Sequence, residues 1–294
     1  MSMTLSFGKT APVKSILIPL IAAAGLALVA PAAQAAGEGK KPRDIAFSFE
    51  GPFGTFDQGQ LQRGYKVYRE VCAACHSMNL LSFRNLAEDG GPFWDPDVSN
   101  PNENRFVRVL AAEFEIADID SETGEPIRRP GTPADAFPDP YPNATAAAAG
   151  NGGAVPPDLS VMAKARKGGA DYIYSLLAGY QPAPAGLRIA PGQHYNPYMP
   201  GDLTPFWEGD PDKVPYGGFI AMAQPLRDGQ VTYDDDAPET IDQYSRDVAA
   251  FIAWASDPKA VERKRTGIAV LAYLAIFAGL TYASYRQIWR NVKH

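Results

Sequence analysis

Cysteine is nearly missing from this chain, with two in 294 residues. Two cysteines cannot build a framework of several disulfides. They also cannot form the two separated pairs that a four-ligand structural zinc site usually draws on. Histidine is almost as scarce, at positions 76, 194 and 294. No internal repeat is present, so a solenoid or blade array is excluded. Positive charge is short in the middle of the chain. Residues 1–36 and 263–294 carry two and six basic residues and no acidic one. The whole chain is −6, so residues 37–262 carry −14. A stretch this acidic suits a basic protein partner and leaves no nucleic-acid partner to be expected.

What is there is concentrated. Both cysteines fall in Cys72-Ala73-Ala74-Cys75-His76. C-x-x-C-H is the attachment signature of a c-type haem. Each thiol adds to one vinyl group, the two-residue spacing matches the separation of the vinyls, and the adjacent histidine lies under the iron. A zinc site using Cys72, Cys75 and His76 lacks a second ligand pair. A thioredoxin-like redox pair calls for a β-α-β pattern, which is not found here.

The termini read as an export signal and an anchor. Lys9 and Lys14 precede an apolar run from Ile16 to Ala30, and Ala33-Gln34-Ala35 is a small-residue cleavage site. Residues 1–36 are therefore expected to be a signal peptide. From Thr266 to Tyr285 there are 20 residues without a charge. At about 1.5 Å per residue they match the hydrocarbon core of a bilayer. Arg263, Lys264 and Arg265 precede this run, Arg286, Arg290 and Lys293 follow it, and Tyr285 and Trp289 suit an interface. Residues 263–294 are expected to be a single-pass anchor, which leaves 37–262 as one exported haem domain.

Within that domain the spacing predicts few helices. Asp57 and Gln60 form a capping-box pattern, and Leu61, Tyr65, Tyr68 and Cys72 recur at helical spacing. That helix delivers the haem motif at its C-terminal end. Asp158–Lys167, Asp171–Tyr180 and Pro238–Ser256 read as further helices, the last with Ile241, Tyr244, Val248, Phe251 and Ile252 in a stripe. Ala144–Ala149 reads as either a helical turn or a loop. Residues 90–157 and 181–218 are rich in Pro, Gly, Asn and Asp and show little periodicity, which suits loops packed around a cofactor.

A second axial ligand has three candidates, His194, Met199 and Met222. His294 lies beyond the anchor, Met78 is too close to His76, and Met162 sits on an apolar stripe. Met222 follows Gly217-Gly218 and precedes Pro225, in a loop suited to aiming a thioether at a metal. Composition and position leave Met199 and His194 open beside it.

Several segments together resemble the cytochrome c1 family. They are Gly64-Tyr65-Lys66-Val67-Tyr68 leading into the haem motif, Asn151 to Ser160, Ala165 to Tyr172, Tyr195-Asn196-Pro197-Tyr198, Ile220 to Leu226, Asp247 to Pro258, and the basic-flanked tail. The resemblance runs from about Phe47 to the C-terminus. It implies an all-α, class I cytochrome c-like haem domain with long loops plus one C-terminal transmembrane helix. It implies one covalent haem c on Cys72 and Cys75, with His76 and Met222 as the iron ligands. It also implies Arg166 and Tyr172 at the haem propionates and Pro157 against the haem face. Asp234, Asp235, Asp236 and Glu239 would help dock a basic cytochrome c. Some bacterial relatives carry an extra disulfide, for which this chain has no cysteine. Residues 90–142 are given no role.

The implied function is electron transfer within quinol–cytochrome c oxidoreductase (the bc1 complex), from a Rieske iron–sulfur protein through the haem to a cytochrome c, beside a cytochrome b subunit. The chain itself carries no catalytic residue. The implied location is a bacterial inner membrane, with the haem domain in the periplasm. Two other readings compete. One is a free-standing anchored cytochrome c. The other is a haem enzyme or gas sensor with an open iron site.

Overall fold

The computed structural model describes residues 39–291, and the expected signal segment, 1–36, lies outside the described residues. Helix α1 runs Gln58–Glu70. Asp57 caps it, its carboxylate accepting from the Gln60 N–H at 2.7 Å. This satisfies one of the orphan donors of the first turn. The reciprocal half of the capping box does not form, because the Gln60 amide turns to Asp247 instead, at 3.2 Å. Leu61, Tyr65 and Tyr68 lie on the buried face, as their spacing predicts.

The centre of the core is a later helix, Ile241–Ser256, capped by the Thr240 hydroxyl on the Gln243 N–H. It carries buried Tyr244, Val248, Phe251, Ile252 and Trp254. Each fully buried Val, Ile or Phe contributes about 1.5–3 kcal/mol. This helix crosses α1 at Gly64. A Cβ there would stand 2.2 Å from the Asp247 carbonyl oxygen and 2.7 Å from Phe251 Cβ. Only a glycine lets the two backbones come this close. Tyr65 and Tyr68 then pack on the Phe251 ring, each with centroids 5.7 Å apart.

Between these two helices lie α2 (Arg105–Ala112), α3 (Ala144–Gly150), α4 (Met162–Ala165) and α5 (Gly169–Leu177). The Ile241–Ser256 helix is therefore α6, and α4 and α5 pack on it with α1. The alanine run resolves as helix α3, with Asn143 accepting from the Ala146 N–H. Helix α4 is shorter than its spacing predicts. Asp158 bonds the backbone at Asn79 and Ser160 instead of starting a helix, and Gly168 at φ 94° breaks the chain before α5.

The expectation of an all-α domain needs correction. The chain is mostly helical, but it also holds two antiparallel pairs, both in the segments without periodicity. Strand β1 (Glu115–Ile119) pairs with β2 (Pro126–Pro130), and β3 (His194–Asn196) pairs with β4 (Gly218–Ile220). The first hairpin is exposed along almost its whole length, so no buried face imposes alternation. Arg129 braces it, reaching Asp118 at 2.5 Å and Asp135 at 2.7 and 2.8 Å. An N-terminal strap was also not foreseen. Lys40, Arg43 and Ile45 donate backbone N–H groups to Pro197 O, Ser175 Oγ and Asp171 Oδ1.

Helix α7 runs Ala260–Trp289 and contains the predicted apolar span. Among the described residues it is the one helix long and apolar enough to cross a membrane, and none of it is buried. Three residues, Asp257-Pro258-Lys259, separate it from α6. Its base is fastened to the domain. Lys264 Nζ donates to the carbonyls of Phe49 and Gly54 at 2.6 and 3.2 Å. Asp257 holds Lys164 at 3.1 Å and also pairs with Arg263.

Candidate functional site

Helix α1 ends at Glu70, and Cys72–Ala74 forms a tight 3-10 turn. The N–H groups of Cys75 and His76 both return to the Cys72 carbonyl, at 3.1 and 2.9 Å. The turn thus brings both thiols and the imidazole to one end of α1. No disulfide joins the two cysteines. Burial pushes the pKa of an unattached Cys72 thiol up to about 12.

The imidazole of His76 is oriented by a neighbour. His76 Nδ1 lies 2.8 Å from the Pro157 carbonyl oxygen. A carbonyl can only accept, so Nδ1 carries the hydrogen and Nε2 keeps its lone pair. Burial lowers the imidazole pKa, against the opposing pull of the Pro157 carbonyl and Asp158. Both features suit a neutral, metal-binding histidine with a second partner fixing its tautomer. Residues 157–160 are held there by backbone. Leu159 N–H donates to Ser77 O at 2.9 Å, and Asp158 accepts from Asn79 N–H at 2.9 Å.

The three candidates for a second ligand come from one small region. His194 stands opposite Ile220 in the β3–β4 ladder. Met199 follows β3 and Met222 follows β4. The hairpin depends on Gly217 at φ 110°, where a Cβ would lie 2.4 Å from Asn196 O. Met222 is half-buried against the main core, the same core that Cys72, Leu159 and Tyr172 border. Its carbonyl accepts from the Tyr180 hydroxyl at 2.8 Å. The Met199 sulfur lies 3.7 Å from the Tyr172 hydroxyl.

Tyr172 is buried on α5. Burial raises its hydroxyl pKa, and the charge of Arg166 acts the other way. Arg166 itself is exposed at the end of α4. Pro157 contributes a role not expected of it, since its carbonyl rather than its ring orients His76. Three members of the acidic cluster have partners within the chain, though Asp234 and Asp235 remain exposed. Lys66 holds Asp234 at 3.0 Å, Arg63 holds Asp235 at 2.6 Å, and Glu239 accepts from Tyr233 N–H at 3.1 Å.

Sequence reasoning missed two tyrosines at the site, Tyr180 and Tyr141. The Tyr141 hydroxyl lies 3.9 Å from Cys75 Sγ. Pro140 and Pro142 on either side of Tyr141, with Pro138 just before, were the available signal. Such a segment presents its aromatic groups from a stiff backbone.

Two cysteine sulfurs in one turn, an imidazole whose Nδ1 is engaged by a carbonyl and a methionine thioether bordering the same core are the donor types a covalently attached haem requires. The residues present fit such a group. The model of the Cytochrome C1 family matches residues 47–292, and the chain belongs to that family. It is 43% identical to the mitochondrial "Cytochrome c1, heme protein" of Saccharomyces cerevisiae over 267 residues, covering 90% of this chain and 78% of that protein. It is 40% identical to the "Cytochrome c1" of Blastochloris viridis, covering 92% and 93%. A Bradyrhizobium diazoefficiens protein named "Cytochrome b/c1" is 42% identical, and the chain spans 95% of its own length but 40% of that protein.

Proposed function

We propose that this chain is the electron-transfer subunit of a quinol–cytochrome c oxidoreductase. It would take one electron from a Rieske iron–sulfur protein and pass it through a covalent haem c to a cytochrome c, next to a cytochrome b subunit. The observation that carries the reading is the match of residues 47–292 to one family, which covers the haem motif, Met222 and α7 together. The name of the Bradyrhizobium relative, joining b and c1, supports the cytochrome b partner.

In this reading the bound haem supplies a reversible one-electron change at iron. The chain supplies the rest. Cys72 and Cys75 anchor the group through thioether bonds. His76 presents Nε2, aimed by the Pro157 carbonyl. Met222 would hold the iron through its thioether sulfur, which would favour the ferrous state and raise the potential. Arg166 and Tyr172 would hold the propionates, the guanidinium supplying charge and the hydroxyl a neutral donor. Residues 37–262 form the haem domain, in a class I cytochrome c arrangement and facing the periplasm. Residues 1–36 are a signal peptide, and 263–294 are the single-pass anchor in a bacterial inner membrane.

The test is quinol–cytochrome c reductase activity on the tagged chain, purified from native membranes in mild detergent. Activity should copurify and vanish when Cys72 and Cys75 are both replaced by serine. A haem-bearing chain that emerges alone and inactive, under conditions that keep such complexes intact, would point to a free-standing carrier instead.

Docking in this reading rests on the −14 charge of residues 37–262 rather than on the internally paired Asp234 and Asp235. Reduction of a basic cytochrome c should therefore slow about tenfold or more as salt rises from low to physiological strength. A rate flat with salt would remove electrostatic docking.

A further inference from the structure

The site rests on a loop with very little holding it. The β3–β4 ladder ends at Ile220. Among the described residues, segment 221–225 has one hydrogen bond, from the Tyr180 hydroxyl to the Met222 carbonyl at 2.8 Å. Pro225 stiffens the far end but has no N–H to give. Tyr180 is itself well placed to act as a fixed post. It lies just past the Ala178 cap of α5, and the preceding Gly179 lies tight under the ring of Tyr198, where a Cβ would be 2.5 Å from Cδ2. Tyr198 in turn accepts from Arg43 Nε at 3.0 Å.

We infer that Tyr180 is a positioning residue for Met222, pinning the backbone from which the sulfur reaches the iron. The inference rests on the reading of Met222 as axial ligand. The physical need is plain. A methionine side chain has three rotatable bonds and adapts to many shapes. Its sulfur is held at a metal only when its Cα is fixed, because supporting groups decide whether a ligand is tight or loose. Without the hydroxyl, the Met222 carbonyl loses its partner, and residues 221–225 keep only side-chain packing and their chain ends to hold them.

The experiment uses the haem-bearing chain purified from native membranes, in four forms: wild type, Tyr180→Phe, Met222→Leu and Tyr244→Phe. Tyr244 serves as the control. It makes a similar hydroxyl-to-carbonyl bond, to Val231 at 2.5 Å, in the core and away from the loop. Three readings are taken: haem per chain, the near-infrared sulfur-to-iron band of the ferric form, and the fraction of ferrous protein that binds carbon monoxide. Losing one hydrogen bond is a factor of about five in an equilibrium. Tyr180→Phe should keep wild-type haem content, weaken the band and raise the carbon monoxide-reactive fraction about fivefold. Tyr244→Phe should leave band and fraction unchanged, and Met222→Leu should abolish the band.

Wild-type behaviour of Tyr180→Phe, with Met222→Leu lacking the band, overturns the positioning role and leaves the ligand reading standing. Equal changes in Tyr180→Phe and Tyr244→Phe overturn it too, since they report general loosening. A band that persists in Met222→Leu overturns the ligand reading and the inference with it. Should Tyr180→Phe fail to accumulate, Tyr180→His, which keeps a ring N–H donor, is measured in its place. A reactive fraction between wild type and Met222→Leu then supports the role, and one equal to wild type or to Met222→Leu overturns it.

Discussion

Replacing Asp247 by alanine should destabilise the haem domain by about 3–5 kcal/mol, the cost of breaking a buried charge pair. The Asp247 side chain has no exposure to solvent. It accepts from Arg63 Nε at 2.9 Å, Gln60 Nε2 at 3.2 Å, Gln243 Nε2 at 2.9 Å and the Tyr233 hydroxyl at 2.9 Å. Those four donors come from α1, α6 and the loop between β4 and α6. Alanine would leave all of them facing a vacancy, with Arg63 keeping only its exposed partner Asp235. Burial, then the Asp247 charge, holds the Tyr233 hydroxyl pKa well above its usual value, so it remains a donor throughout the accessible pH range. Asp247→Asn keeps the shape but turns an N–H₂ toward a guanidinium, and should fall between wild type and alanine. Denaturant unfolding of the haem-loaded protein measures both. A loss under about 1 kcal/mol for alanine would mean that the network is ornamental and that the Gly64 crossing alone holds α1 to α6.

Met222→Leu should remove the sulfur-to-iron band completely and lower the reduction potential, since thioether ligation is what raises it. Each ~59 mV lost shifts a one-electron equilibrium about tenfold. A fall of two such steps would shift the electron-transfer equilibrium with the donor about a hundredfold against this chain, and reductase activity should collapse even though haem remains attached at Cys72 and Cys75. The variant also separates the three candidates that the β3–β4 hairpin brings together. Met199 already has a neighbour for its sulfur in the Tyr172 hydroxyl. His194 stands opposite Ile220, two residues before Met222. A spectrum and potential unchanged in Met222→Leu would transfer the role to one of those two.

The sequence made parts of this site readable for definite reasons. The haem motif is a fixed spacing of reactive groups, and nothing tertiary is needed to see it. Helix α1 buries one face, and α6, buried nearly all round from Tyr244 on, carries its large apolar side chains in one stripe, so Leu61, Tyr65, Tyr68 and Tyr244, Val248, Phe251 leave a 3.6-residue signal. Hairpin β1–β2 buries almost nothing and is held by its ladder and Arg129, so it leaves no pattern to read. Strands β3 and β4 are three residues each, too short for any period. Three arrangements were invisible because they join positions far apart in the chain. These are the Pro157 carbonyl on His76, Tyr180 on Met222, and the Lys66 and Arg63 partners of the acidic cluster. In the last case composition could not show the cations facing the cluster, whose carboxylates still stand exposed. Carboxylates that read as a docking face are partly neutralised by cations from α1.

The junction below the core has a mechanical meaning. Helix α7 follows α6 after three residues, and Lys264 is bonded to two backbone carbonyls of the domain. If α7 stands in a bilayer as proposed, the haem domain is bolted to the membrane rather than leashed to it. It cannot commute between a donor and an acceptor. Its redox centre stays at one height above the lipid, like a fixed contact in a circuit, and whatever travelling the electron requires must be done by the proteins on either side.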